Sequence, residues 1–167
     1  MKTLYLIGGT MGVGKTTVCK CMNRKLPDSV FLDGDWCWEA DPFQVTDETK
    51  KMVMENICFL LNQFLQCSAY QNVVFCWVMH EQGIIDQILR NIDHSSCEVR
   101  VISLVCGEDS LRKRLTGDIQ KGIRSPEIIE KSVARIDLYS KMKTEKIRTD
   151  DKTPEIIAEE IMSKSEK

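Results

Sequence analysis

The sequence predicts an α/β fold in which a parallel sheet is covered by helices on both faces. Short, continuous apolar runs alternate with segments of helical spacing along the 167 residues. Runs of this kind indicate strands that are buried on both faces. Strands that alternate with helices need crossover connections, and such connections make the sheet parallel. Because no repeat and no linker interrupts this order, we expect one domain over residues 1–167.

Five strands and at least five helices are predicted from these patterns. The strands are residues 4–7, 29–32, 73–78, 99–106 and 145–149, and the last of them has the weakest pattern. Helices are expected at residues 15–25, 47–67 and 84–92. Two more are expected from N-cap, proline and acid signatures, one starting at Ser125-Pro126-Glu127 and one running from Thr153-Pro154-Glu155 to the C-terminus.

Composition and charge exclude several classes of protein. Hydrophobic residues make up 43% and charged residues 29%, which is a globular balance. No apolar run reaches the roughly 18–20 residues of a membrane span, and the apolar part of the N-terminus is too short for a signal peptide. We therefore expect no membrane partner. A net charge of −2 disfavours a nucleic-acid partner.

The eight cysteines do not indicate a disulfide scaffold or a zinc site. They contain no CxxC pair, and a chain of this length buries a core without covalent staples. We expect reduced thiols in a cytoplasmic protein.

The strongest motif is a glycine-rich loop after the first strand. Residues 9–16 read G-T-M-G-V-G-K-T, which satisfies G-x-x-x-x-G-K-[ST] between a strand and a helix. In this motif backbone N–H groups surround phosphate oxygens, the lysine reaches the β- and γ-phosphates, and the hydroxyl holds Mg²⁺. We therefore predict ATP and Mg²⁺ as cofactors. The predicted nucleotide-binding residues of the loop are Gly9, Thr10, Gly12, Val13, Gly14, Lys15, Thr16 and Thr17.

Two carboxylates follow the second strand. Asp33 and Asp35 are separated by Gly34, and strand alternation would send both side chains toward one site. In a phosphotransferase one carboxylate can orient Mg²⁺ while the other accepts the proton of an attacking hydroxyl. A polar turn that leaves the strand is the alternative. No Asn-Lys-x-Asp segment is present, which argues against a GTPase, and the strand at 73–78 lacks an aspartate at its end.

In its glycine-rich loop and in the segment that carries the two aspartates, the chain resembles the P-loop small-molecule and nucleotide kinases. Among them are the adenylyl-sulfate, shikimate, gluconate and adenylate kinases. It is more similar to uncharacterised bacterial P-loop kinases than to any of these enzymes. The resemblance implies a three-layer P-loop NTPase fold, with a five-stranded parallel sheet in the order 2-3-1-4-5 and a short lid at about residues 112–126. It also implies that Asp33, together with Thr16, binds the metal and that Asp35 binds the acceptor hydroxyl. Lys15, Asp33 and Asp35 are then catalytic.

A basic section matches the lid of these kinases. Residues 108–148 carry 11 lysines and arginines against 7 acids, whereas the remainder carries 12 against 18. Gly117 and Gly122 bracket a predicted mobile loop. By resemblance, Arg124 is the catalytic lid arginine, Arg114 contacts the nucleotide, and Arg135 is a second arginine on the returning helix. A solvated basic face is the alternative.

The acceptor is expected at the carboxyl edge of the sheet, where open α/β folds bind ligands. The predicted substrate residues are Asp35, Trp36, His80 and Arg135. Trp36 could equally cap the core, and His80 could be merely hydrogen-bonded.

The sequence thus predicts an ATP-dependent phosphotransferase that moves the γ-phosphoryl group of Mg-ATP to a small-molecule or nucleotide acceptor. We expect a monomer or a homodimer. Two alternatives stay open. The missing strand-end aspartate suits a nucleotide-binding regulatory module without transfer, and the basic section suits a nucleic-acid end kinase.

Overall fold

The apolar runs predicted as strands pair with one another in a single sheet. The computed structural model describes residues 1–164. Its strands are β1 (Lys2–Gly8), β2 (Ser29–Asp33), β3 (Asn72–Cys76), β4 (Cys97–Val105) and β5 (Glu145–Arg148). Every pairing is parallel and the order is β2-β3-β1-β4-β5, so the predicted fold and strand order are confirmed. The loop after β1 consequently lies at the middle of the carboxyl edge.

Six helices of the described part lie between the strands, and a seventh follows β5. They are α1 (Lys15–Lys25), α2 (Asp47–Gln66), α3 (Gln82–Arg90), α4 (Glu108–Gln120), α5 (Ile128–Ala134), α6 (Ile136–Ser140) and α7 (Pro154–Ser163), with a 3₁₀ helix at Gly34–Cys37. The start of α2 is fixed by a reciprocal capping box between Thr46 and Thr49. The predicted continuation of the last helix to residue 167 lies outside the described residues. No helix within residues 1–164 is both long and apolar enough to cross a membrane.

The sheet is buried on both faces, as its apolar strands require. Side chains of β1 alternate between two hydrophobic clusters, with Leu4 and Leu6 in one and Tyr5 and Ile7 in the other. The first cluster packs the sheet against α2 and α3, and the second packs it against α1, α4 and α7. The three layers therefore hold the carboxyl ends of the strands at one edge.

The section between α4 and α6 differs from the sequence prediction. Gly117 does not start a loop but lies inside α4, because Leu111 and Leu115 are fully buried and hold this helix against the sheet. The chain turns only at Gly122, whose φ is +71°. The helix predicted from Ser125 starts at Ile128. A turn precedes it, in which the carbonyl oxygens of residues 125 and 126 accept hydrogen bonds from the amides of residues 128 and 129.

Two side chains on α2 provide a test of this packing. Leu61 is fully buried, whereas Phe59 is 63% exposed. We expect Leu61→Ala to lower the free energy of unfolding by about 2–5 kcal/mol, because it opens a cavity in the core. Phe59→Ala should change it by less than about 0.5 kcal/mol. Urea denaturation of both variants measures the difference, and equal losses would contradict the packing described for α2.

Candidate active site

The loop between β1 and α1 has the backbone shape of an anion cradle. Gly9, Gly12 and Gly14 all have φ between +85° and +153°. A Cβ atom on Gly12 would lie 2.5 Å from Cδ2 of Leu115, so the position also requires the absence of a side chain. The first turn of α1 follows at once, and its amide groups have no acceptor within the helix. These amides can therefore bind an anion such as phosphate.

Residues from later elements hold the loop in place. The Thr10 hydroxyl donates to the carbonyl of Ser132 at 2.8 Å. Arg114 Nη1 donates to the carbonyl of Val13 at 3.1 Å. The Thr10 side chain thus faces α5, so nucleotide binding by Thr10 and Val13 would use backbone groups.

Tyr139 supplies a further support. Its buried hydroxyl accepts the Gly9 amide and donates to the carbonyl of Val78, beyond the end of β3. Burial raises the pKa of Tyr139. The phenol therefore acts as a neutral donor that joins the loop to the neighbouring strand.

Lys15 lies across the loop. Its ammonium group donates to the carbonyl oxygens of Gly9 at 2.7 Å and of Thr10 at 3.1 Å. Burial lowers the pKa of Lys15, while the charges of Asp35 and Asp33 act in the opposite direction. Both carboxylates therefore lie within electrostatic range of the lysine.

Thr16 and Asp33 form a pair of oxygen ligands. The Thr16 hydroxyl donates to Asp33 Oδ2 at 2.6 Å, and Asp33 is buried at the end of β2. The other oxygen of Asp33 accepts the backbone amide of Asp35 at 3.1 Å. Thr17 points to solvent on α1. Mg²⁺ prefers oxygen ligands and usually takes one or two carboxylates beside substrate phosphates, so Thr16 and Asp33 fit this ion.

Asp35 reaches the site by a different route from the one the sequence suggested. It lies in the 3₁₀ helix Gly34–Cys37 rather than on an extended strand, so strand alternation does not set its direction. Desolvation and the charge of Asp33 raise its pKa. Lys15 opposes this shift, as do a hydrogen bond from the Trp77 side chain and the charge of Arg124. Asp35 therefore shares one electrostatic environment with Asp33 and Lys15.

Trp77, rather than Trp36, contacts Asp35. Trp36 is 53% exposed, and its ring meets Phe31 edge-on at 5.2 Å between centroids. Gly34 makes room for Trp77, because a Cβ atom there would lie 2.6 Å from two indole carbons. Trp77 directly follows β3, and only its contact with Asp35 indicates a role for it.

A pair of thiols occupies the strand end where an aspartate was missing. Cys76 is the last residue of β3 and pairs in register with Ile7 and Asp33. Its thiol is hydrogen-bonded to that of Cys19, and both cysteines are buried. All eight cysteines are free. The β3 side of the site therefore carries two buried thiols where a carboxylate was expected.

The predicted arginines Arg114 and Arg124 have different surroundings. Arg114 donates to the Thr149 hydroxyl and the Thr149 carbonyl, both at 2.9 Å, in addition to Val13. Arg124 pairs with Asp118 at 3.2 Å and lies close enough to affect the pKa values of both Lys15 and Asp35. The structure therefore brings Arg124 to the carboxylate side of the loop.

His80 and Arg135 lie together beyond β3. Burial lowers the pKa of His80, and the charges of Arg135 and Lys131 lower it further. Nδ1 of His80 is buried without a hydrogen-bond partner among residues 1–164, and Nε2 lies 3.5 Å from Glu81. The two predicted substrate residues are thus neighbours, with a neutral imidazole beside two cations.

A cavity that the sequence did not indicate opens beside Arg114. It has a volume of about 510 Å³ and lies between α4 and the connection from β5 to α7. Its lining residues are Ser110, Lys113, Arg114, Gly117, Asp118, Lys121 and Asp151. The α4 residues in this lining recur at helical spacing, and this spacing is the one indication of the cavity in the sequence.

Comparison with known protein families identifies the chain. The model of the family described as an AAA domain (AAA_18) matches residues 6–136. The chain belongs to this family. A comparison with curated proteins finds no match. The match spans the loop, both aspartates and most of the basic section.

Solved structures share the fold over nearly the whole chain. The tunicamycin resistance protein of Deinococcus radiodurans is 16% identical with a TM-score of 0.76, covering 99% of this chain and 96% of that chain. A gluconokinase of Sinorhizobium meliloti 1021 is 15% identical with a TM-score of 0.69, covering 96% and 90%. The Mycobacterium tuberculosis APS kinase, in complex with AMPPNP and APS, is 10% identical with a TM-score of 0.66, covering 99% and 98%. The resemblance to P-loop kinases is confirmed at the level of the fold.

Substitution of Gly34 tests the arrangement of Trp77 and Asp35. We expect Gly34→Ala to lower the free energy of unfolding by about 1–3 kcal/mol, because the added methyl group overlaps the indole ring. Gly83→Ala is the matched control. No atom lies within 4 Å of a Cβ at position 83, which is in α3, so stability should rise by at most about 1 kcal/mol. Thermal denaturation compares the two, and a neutral Gly34→Ala would show that Trp77 does not pack as described.

Proposed function

We propose that this protein is an ATP-dependent phosphotransferase that moves the γ-phosphoryl group of Mg-ATP to a small-molecule or nucleotide acceptor. The observation that carries the proposal is the difference between two carboxylates beside Lys15. Asp33 is buried and bonded to Thr16, whereas Asp35 keeps part of its surface exposed and has a pKa that desolvation raises. Phosphoryl transfer to a hydroxyl needs one carboxylate beside the metal and another beside the acceptor.

The residues of the loop are assigned to the triphosphate. Its amides and those of the first turn of α1 would bind phosphate oxygens, and the ammonium group of Lys15 would exchange its two carbonyl acceptors for them. Thr16 and Asp33 would hold Mg²⁺, which supplies neutralising charge on the phosphates when it is bound. Arg114 and the cavity of about 510 Å³ beside it would take the nucleoside part.

Asp35 is assigned to the acceptor hydroxyl. Its carboxylate would orient the hydroxyl and accept its proton as the oxygen attacks. A raised pKa suits this role, because a carboxylate that is more basic than usual draws the proton more strongly. Arg124 would neutralise charge on the transferring group. His80 and Arg135 would bind a polar or anionic part of the acceptor, and Trp36 a part at the rim.

The regulatory module without transfer is retained as a second candidate because of one observation. β3 ends in Cys76 where many P-loop enzymes have an acid, so the metal side of the site has a single carboxylate. Nucleotide binding without turnover would favour this candidate.

Turnover and binding, measured separately, test the proposal. Purified protein with Mg-ATP and a panel of hydroxyl-bearing metabolites should release ADP with at least one acceptor. Lys15→Ala should lose both turnover and nucleotide binding in calorimetry. Asp35→Asn should lose about 100- to 10,000-fold in kcat while still binding ATP, because only the proton acceptor is removed.

Asp86→Asn is the control for Asp35→Asn. Asp86 is an exposed carboxylate on α3 whose oxygen accepts from Gln82, and an asparagine there can still accept. It should retain full activity. Full turnover in Asp35→Asn would remove the assignment of Asp35, and tight ATP binding with no ADP release for any acceptor would replace the phosphotransferase with the regulatory module.

The pH dependence of turnover should report the state of Asp35. Because the carboxylate must be ionised, activity should fall as the pH falls through its raised pKa. The hydrogen bond from Trp77 favours the ionised form and so lowers this pKa. Trp77→Phe should therefore move the acidic limb of kcat/KM to higher pH. Phe59→Leu, at an exposed position on α2, should leave the limb in place, and an equal shift in both variants would mean that the limb reports another group.

A further inference from the structure

An aromatic series leads from Asp35 to the protein surface. Trp77, whose side chain is hydrogen-bonded to Asp35, meets Trp38 edge-on at 6.2 Å between ring centroids. Trp38 in turn meets Phe43 edge-on at 4.7 Å. The series continues outward from a buried ring to one that is 56% exposed. The three rings thus form a continuous series of contacts between the proposed proton acceptor and the surface.

The series ends at a hollow between α2 and the loop that joins the 3₁₀ helix to α2. The hollow has a volume of about 240 Å³, and its apolar lining comes from Trp38, Pro42, Phe43 and Met52. Glu39 and Gln44 add polar groups to the lining. An apolar cavity of about 150 Å³ is large enough to bind benzene, so this hollow has room for a larger apolar group.

The exposed apolar side chains at the hollow are Phe43 and Met52, and the adjacent Val45 is also exposed. Met52 is 43% exposed, and its neighbours on α2 include Lys51 and Glu55, which are themselves exposed and 3.8 Å apart. Charged groups therefore flank the methionine instead of a broad apolar face. A patch limited in this way suits a small ligand, because a stable protein interface needs about 800 Å² from each partner.

We propose that this hollow binds an apolar tail of the acceptor while the acceptor's hydroxyl lies at Asp35. The acceptor is accordingly an amphipathic alcohol, with a polar head at the phosphoryl-transfer site and an alkyl or aryl tail over Trp38, Phe43 and Met52. This inference rests on the function proposed above for Asp35. It assigns the substrate class that the loop and the arginines leave open.

A series of alkyl glucosides with one head group tests the hollow directly. Hexyl, heptyl and octyl β-D-glucoside, each below its micellar concentration, would be titrated into the protein without nucleotide in a calorimeter. We expect the affinity to rise about fourfold for each added methylene, because each buries the corresponding apolar area. Met52→Glu and, on the loop, Phe43→Ser should each abolish this dependence on chain length.

Phe59→Glu is the matched control. Phe59 is an exposed apolar residue on the same helix that does not line the hollow, so this variant should keep the dependence on chain length. Equal affinities for the three glucosides in the unaltered protein, or equal losses in Met52→Glu and Phe59→Glu, would overturn the proposal. So would a dimer in sedimentation that Met52→Glu dissociates, because a second copy of the chain would then cover the hollow.

Failure of this inference can be told apart from failure of the proposed function. Phosphoryl transfer to small polar alcohols, with no effect of chain length on binding or on kcat/KM, would remove the hollow as an acceptor subsite and leave the phosphotransferase. Chain-length-dependent binding with no transfer to any acceptor would remove the phosphotransferase, and with it the acceptor role of the hollow.

Discussion

The loop between β1 and α1 keeps its shape through groups that lie more than a hundred residues further along the chain. A glycine-rich segment loses much conformational freedom when it becomes ordered, so its fixed shape needs support from outside. Ser132 accepts the Thr10 hydroxyl, Arg114 donates to the Val13 carbonyl, and Tyr139 accepts the Gly9 amide. These bonds reach both ends of the loop and its centre. The phosphate cradle is therefore a property of the whole fold rather than of its motif.

The same bonds limit which part of the basic section can move. α4 is tied to the loop through Arg114, α5 through Ser132 and α6 through Tyr139. The turn at residues 121–127, which carries Arg124, lies between these ties. A mobile lid, if it closes over a triphosphate, would therefore be shorter than residues 112–126. Its arginine would have to release Asp118 in order to reach phosphate.

The features that the sequence predicts well are those that depend on local pattern. Apolar runs indicated the first four strands, which are largely buried on both faces. The pattern of β5 is weak because only Ile147 of its four residues is buried. The phosphate loop was predicted from its sequence motif, and the position of Asp33 was predicted from its place at the end of a strand. The direction of Asp35 could not be obtained in this way, because it depends on a 3₁₀ helix and on Trp77, which lies 42 residues away in sequence. The prediction that Gly117 starts a loop was wrong, because burial of the neighbouring leucines outweighs the low helix propensity of one glycine.

The different roles proposed for the two aspartates rest on how many donors each has. Both oxygens of Asp33 accept hydrogen bonds, from the Thr16 hydroxyl and from the Asp35 amide, so this carboxylate is held in one orientation. Asp35 accepts from Trp77 and keeps part of its surface exposed to solvent, within range of Lys15 and Arg124. A fixed carboxylate suits the positioning of a metal, whose geometry is strict. An open one with a raised pKa suits a proton that arrives with a substrate. One glycine between them allows the change from strand to 3₁₀ helix, and the indole that occupies the space above Gly34 sets the environment of the open carboxylate.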